Sequence, residues 1–178
     1  KADISPAAMA YDLMLENEGT GLLYYPFANY AEDTLDCCRE MILAPNTVMG
    51  LGDGGAHVGA ISDASFITYL LTHWGRDRKR GELIDLPTLI KAQTSDTARA
   101  VGFDDRGLIK PGLKGDLNII DFDNLRSGLP HVVNDLPSGA PRLEQRASGY
   151  IATILNGAVT YREGVATGDL PGRLVRRK

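Results

Sequence analysis

Apolar and polar residues follow two different rhythms along this chain, and the change falls near Gly102. Ser5-Pro6 reads as a helix start: a hydroxyl N-cap, then proline at the first helical position, where its missing N–H does no harm. Ala10, Leu13 and Met14 lie on one side of this helix, which is expected to stop near Gly19. Leu22, Leu23, Tyr24 and Tyr25 then form a nearly continuous apolar run between Gly21 and Pro26, as in a strand buried on both faces. A second helix is predicted over roughly 32–43, with Leu35, Cys38 and Ile42 at helical spacing. Thr47 to Leu51 is a second buried-strand candidate. The order helix, strand, helix, strand predicts parallel strands joined by crossover helices.

A glycine-rich loop follows Asp53, and a helix is expected from about Asp63 to Trp74. Its apolar residues Phe66, Ile67, Leu70, Leu71 and Trp74 cover more than one face, which predicts a well-buried element. Gly75 to Glu82 reads as a charged, exposed loop. Leu86-Pro87 opens a helix running to about Ala100, with a break expected at Ser95-Asp96. Beyond Gly102 the pattern becomes short alternating stretches: Gly107 to Ile109, Leu117 to Asp121, Tyr150 to Leu155 and Ala158 to Tyr161. Asn156-Gly157, between the last two, is a strong hairpin signal because both residues accept positive φ. Two parts are therefore expected: an α/β part over 1–102 and a β-rich satellite over 103–178. Within the satellite, 124–148 reads as one long loop carrying Pro130, Pro137 and Pro141.

Composition narrows the partners. With 43% hydrophobic and 24% charged residues in 178, the chain has ordinary globular composition and material for a core. A net charge of −4 argues against nucleic acid, which needs a basic face. The basic tail of Arg173, Arg176, Arg177 and Lys178 reads as solvated. No apolar run approaches the roughly 18 residues of a membrane span, so no membrane partner is expected. No signal peptide is visible, and the opening at Lys1 rather than Met places the expected true start upstream. Cys37 and Cys38 are neighbours that point apart on a helix; reduced thiols suit a cytoplasmic location.

The chemistry concentrates in Val48-Met49-Gly50-Leu51-Gly52-Asp53-Gly54-Gly55-Ala56-His57. An apolar strand runs directly into an aspartate, and two glycines let the backbone turn. In a parallel α/β barrel, catalytic groups sit at the C-terminal ends of strands. An aspartate there can do acid–base work, with a histidine four residues later at the same mouth. On residue types alone, Asp53 as a turn cap and His57 as an ordinary loop histidine is the commoner reading.

The stretch from Leu51 to His57 resembles the final-strand motif of the amidohydrolase superfamily, and more closely its D-aminoacylase (N-acyl-D-amino-acid deacylase) branch. Val58 to Phe66 resembles that branch too, as do Asp105 to Gly112, Gly115-Asp116-Leu117, Asp135 to Gly139, Arg142-Leu143 and Gly168 to Arg173. The departures are Gly115 where alanine is commoner, Thr97 where proline is common, and no arginine soon after Asp53 to hold a substrate carboxylate. The resemblance implies the last strands and helices of a TIM-like (β/α) barrel over 1–102, followed by part of a small β-sandwich domain. It implies zinc-dependent hydrolysis of the amide bond of N-acyl-D-amino acids. Asp53 would be the proton shuttle and a weak candidate metal contact, with His57 and Asp63 as weaker substrate-binding candidates.

In that family one or two zinc ions are held by a His-x-His pair, a carboxylate, modified lysine or cysteine, and two further histidines. Metal coordination lowers the pKa of water toward about 7. This chain has three histidines, His57, His73 and His131, and none form His-x-His. His73 and His131 read as packed or surface residues. A catalytic zinc needs three protein ligands and an open position, and a full barrel needs about 250 residues. The expectation is a C-terminal portion of the enzyme that binds no zinc stably and is inactive alone. Uncovered sheet edges would favour pairing with another chain, including a homo-oligomer. The competing expectations are a cyclic-amide hydrolase of the dihydroorotase or hydantoinase kind, and a non-catalytic scaffolding homologue.

Overall fold

A computed structural model describes residues 4–25, 28–30, 32–50, 52, 57–60 and 63–176. The chain divides into two compact units, Lys1–Met41 and Ile42–Lys178. The change from helix to strand near Gly102 falls inside the second.

In the first unit, helix α1 (Pro6–Gly19) starts as its caps dictate: Ser5 Oγ accepts from the Ala8 N–H at 3.2 Å, and proline follows the cap. The last turn is broken, because Glu16 is extended and Asn17 and Glu18 are left-handed at φ 53° and 61°. No residue of α1 is buried. The expected strand at Leu22–Tyr25 does not form; Tyr24 and Tyr25 are 89% and 80% exposed. Apolar residues mark a chain that could be buried, but a strand also needs partners for its backbone groups. Helix α2 (Asp36–Leu43), whose last two residues belong to the second unit, starts later than predicted, where Thr34 Oγ accepts from the Asp36 N–H at 3.3 Å. Cys37 and Cys38 are not joined in a disulfide.

In the second unit, Thr47–Gly50 are likewise not a strand, and Leu51 lies outside the described residues. Every strand pair among the described residues is antiparallel, so the parallel arrangement expected for 1–102 is not formed there. The fold is mixed α/β, with helices in the first part and sheets in the second. Helix α3 (Phe66–Thr72) passes into a π-helical turn, His73–Asp77. Helix α4 (Leu86–Gln93) is capped by Asp85, whose carboxylate accepts from the Thr88 N–H at 3.0 Å. The predicted break appears one residue early, at Thr94 (φ −122°, ψ −86°), before α5 (Ser95–Ala100). The buried apolar side chains are Leu70, Leu71, Trp74, Ile84, Leu89, Leu125 and Ala152, so the core lies between α3, α4 and the start of the sheet region.

Gly75 to Glu82 is more than a solvated loop. Arg78 is buried and stacks on Trp74 at 4.7 Å, and its guanidinium donates to the Glu82 carbonyl at 3.0 Å. An arginine's planar head can cover an aromatic face, which a charge count does not reveal.

The β region holds β1 (Leu117–Ile120), β2 (Arg126–Ser127), β3 (His131–Val133), β4 (Arg142–Glu144), β5 (Ala147–Ser148), β6 (Tyr150–Leu155), β7 (Ala158–Arg162) and β8 (Val165–Ala166). A four-stranded sheet has the order β1-β6-β7-β8, and the predicted hairpin is present: Asn156 and Gly157 take φ 52° and 83°, and Leu155 faces Ala158. Gly107–Ile109 is not a strand. The long loop expected over 124–148 is instead a folded ribbon, with β2 paired to β5 and β3 to β4. Strands of two and three residues are too short for alternation to show; only their pairing reveals them. Gly149 closes the ribbon at φ 95°, and a Cβ there would lie 2.6 Å from the Leu125 Cα.

Candidate functional site

Asp53, the expected proton shuttle and candidate metal contact, lies outside the described residues, as do the glycines after it. Its predecessor Gly52 is described and sits tight against Asp63. A Cβ on Gly52 would lie 2.8 Å from the Asp63 carbonyl oxygen and 2.9 Å from its Oδ2. A glycine is needed there because no side chain fits between the backbone and that carboxylate. The Asp63 side chain is thus brought next to the residue that leads into Asp53.

His57 is exposed, on a left-handed backbone (φ 48°), and its carbonyl accepts from the Ala60 N–H at 2.8 Å. The following residue is anchored from far away: the Leu143 N–H of β4 donates to the Val58 carbonyl at 2.7 Å. Ser65 Oγ donates to Gln145 Oε1 at 2.6 Å, and the Thr68 and Tyr150 hydroxyls lie 2.9 Å apart. The ribbon therefore holds the segment from His57 to α3 at two points, and the first residue of β6 holds it at a third. Gln145 and Tyr150 are positioning residues that sequence reasoning missed. They lie about 80 residues from their partners, and no local spacing signals such a contact.

The same ribbon carries a charged face. Asp135 grips the Arg142 guanidinium with both oxygens at 2.6 Å, and this bond holds the Asp135 carboxyl below its ordinary value. Glu144 pairs with Arg146 at 2.9 Å and with His131 Nε2 at 3.2 Å; the Arg146 hydrogen bond is the main reason its pKa is lowered. His131 is thus a strand residue facing a carboxylate. His73 is packed between aromatic rings, stacked on Tyr69 at 4.8 Å.

Among the described residues, no three His, Cys, Asp or Glu side chains come together as a metal centre. These residues do not fit a zinc ion by themselves. No helix among them is long and apolar enough to cross a membrane.

A model of the amidohydrolase family matches residues 3–161. No curated protein matches the chain. Among solved structures, a D-aminoacylase mutant in complex with copper chloride is 28% identical, at a TM-score of 0.49. That alignment covers 62% of this chain and 21% of the D-aminoacylase chain, so this chain spans about a fifth of the length of that relative. The family match takes in both the approach to Asp53 and the ribbon that braces the segment after it, and on that extent the chain belongs to the amidohydrolase family.

Proposed function

We propose that the chain supplies the proton-shuttling aspartate, Asp53, and the adjoining loop of a zinc-dependent enzyme that hydrolyses the amide bond of N-acyl-D-amino acids. The observation that carries this reading is the run Leu51 to His57, which resembles the closing motif of the D-aminoacylase branch and lies within the family match. The tight seat of Gly52 against Asp63 supports it, since it gives the glycine before Asp53 a structural reason.

Asp53 accepts a proton from the water that attacks the amide carbonyl. It then delivers that proton to the departing amine nitrogen, without which the tetrahedral intermediate reverts. His57 and Asp63 follow this position along the chain and are the candidate contacts to substrate. The metal ligands come, on this reading, from sequence beyond these 178 residues, and the chain by itself turns over nothing. A cytoplasmic setting and a homo-oligomeric state belong to the same proposal.

Asp53→Asn, made in an enzyme form carrying the full ligand set, is expected to lower turnover of N-acetyl-D-amino acids by a factor of about 10² to 10⁴ or more. Zinc content and melting temperature should stay near those of the parent. Near-normal turnover by this variant would sink the assignment. Hydrolysis of hydantoins or dihydroorotate with no action on N-acyl-D-amino acids would move the enzyme to the cyclic-amide class.

A further inference from the structure

A cleft of about 220 Å³ lies between the loop at 105–116, the β6–β7 turn and the segment 171–176. Its walls are fixed by the backbone. The Lys114 N–H donates to the Asp105 carbonyl at 2.9 Å, and the Gly157 N–H donates to the Gly115 carbonyl at 3.0 Å. The Asn156 N–H donates to Asp116 Oδ1 at 2.8 Å. Gly172 lies on the other side, where a Cβ would sit 3.6 Å from Leu155 Cδ2.

Arg106, Lys114, Arg173 and Arg176 line the cleft against Asp105 and Asp116, four cations to two carboxylates, an excess of two in a chain of net charge −4. Both acids are already engaged: Asp105 with Arg106 at 3.0 Å and Lys114 at 3.8 Å, Asp116 with Arg106 at 3.1 Å. Arg173 and Arg176 make no ion pair among the described residues, and both are exposed.

We propose that this cleft binds a small dianion of the phosphate class, inorganic phosphate or a phosphate monoester. Two guanidiniums without carboxylate partners offer forked donors that match phosphate oxygens in pairs. The volume suits a group of that size and is below that of pockets for drug-sized ligands, which begin at about 300 Å³. The excess of two positive charges matches the charge of the ligand. The basic tail read from sequence as solvated becomes, in this arrangement, one wall of a site.

Isothermal titration of the whole chain with inorganic phosphate, and separately with glycerol 3-phosphate, tests this. One saturable site per chain is expected, weakened when sodium chloride rises from about 50 to about 500 mM. Arg173→Gln with Arg176→Gln should weaken it about tenfold or more, and Lys114→Gln should weaken it as well. Lys91→Gln, at a lysine paired with Asp96 outside the cleft, should leave it unchanged. All these side chains are at least partly exposed, so the variants should melt with the parent. Tighter binding of glycerol 3-phosphate would identify a monoester as the ligand, and equal binding would identify the free ion. Heats that do not saturate by about 10 mM phosphate, or saturate equally in the double variant, would overturn the proposal.

Discussion

His73 sits with its ring stacked on Tyr69 at 4.8 Å and edge-on to Trp74 at 5.0 Å. Burial first, and the charge of Arg78 second, push its imidazole below the ordinary value of 6.5. The folded ring therefore stays neutral where the unfolded one takes up a proton. As pH falls below about 6.5, the unfolded chain binds more protons than the folded one, and stability drops until the lowered folded value is passed. Above that window the contribution is fully present. Thermal melts from about pH 8 down to about pH 5 should show this decline, and His73→Phe should remove it while keeping the ring stack. An equal decline in the variant would assign the proton to another group. The histidine itself was visible in the sequence as one on an apolar helix. Its aromatic cage came partly from i−4 and i+1 neighbours, which spacing does reveal, but the nearby arginine arrives only because the π-helical turn bends the chain back.

At the scale of elements, the join between the π-helical turn and the β1–β2 connection rests on Arg76. Its guanidinium donates to the carbonyls of Phe122, Asp123 (3.1 Å) and Leu125 (2.8 Å), and Asp77 holds it from the other side at 2.7 Å. Leu125 is fully buried, so this arginine closes a chain reversal at the edge of the core. Arg76→Ala should cost roughly 2–4 kcal/mol, since several charge-assisted bonds are lost and carbonyls near the core are left without a donor. Arg76→Lys should recover less than half, because one ammonium cannot reproduce the planar fork. Urea unfolding measures both; a loss within about 0.5 kcal/mol, the range of ordinary surface changes, would show that the clamp is dispensable. Caps and hairpin were legible in sequence at this scale. Ser5 and Asn156-Gly157 each act within four residues, so the chemistry that fixes them is written locally. The ribbon over 124–148 was not, because its strands are defined by partners up to 22 residues away rather than by alternation.

Across the whole molecule, burial is uneven. Every residue of the buried apolar set lies in Ile42–Lys178, while α1 buries none of its residues. A helix of this length gains little without an apolar face packed on something. Amide hydrogen exchange of the chain should therefore find α1 close to unprotected and the amides of α3, α4 and β6 slow, because protection follows buried contacts. Strong protection across α1 would mean that its apolar residues are covered in solution, by a second copy or another chain.

The sequence by itself determined what depends on neighbours along the chain: the starts of α1 and α4, the Thr94 break to within a residue, the hairpin, and the run around Asp53 that resembles the closing motif of its family. Tertiary structure alone decided what depends on partners far away. Leu22–Tyr25 and Thr47–Gly50 have the composition of buried strands, yet a strand exists only where it pairs in register with a neighbouring strand, and among the described residues neither run is part of a strand pair. Conversely, Leu143, Gln145 and Tyr150 brace the segment after Asp53 from some 80 residues away, and Arg173 and Arg176 turn a short basic tail into the wall of a cleft. Local spacing records the propensity of a segment; only the packed chain records which backbone and which charge it meets.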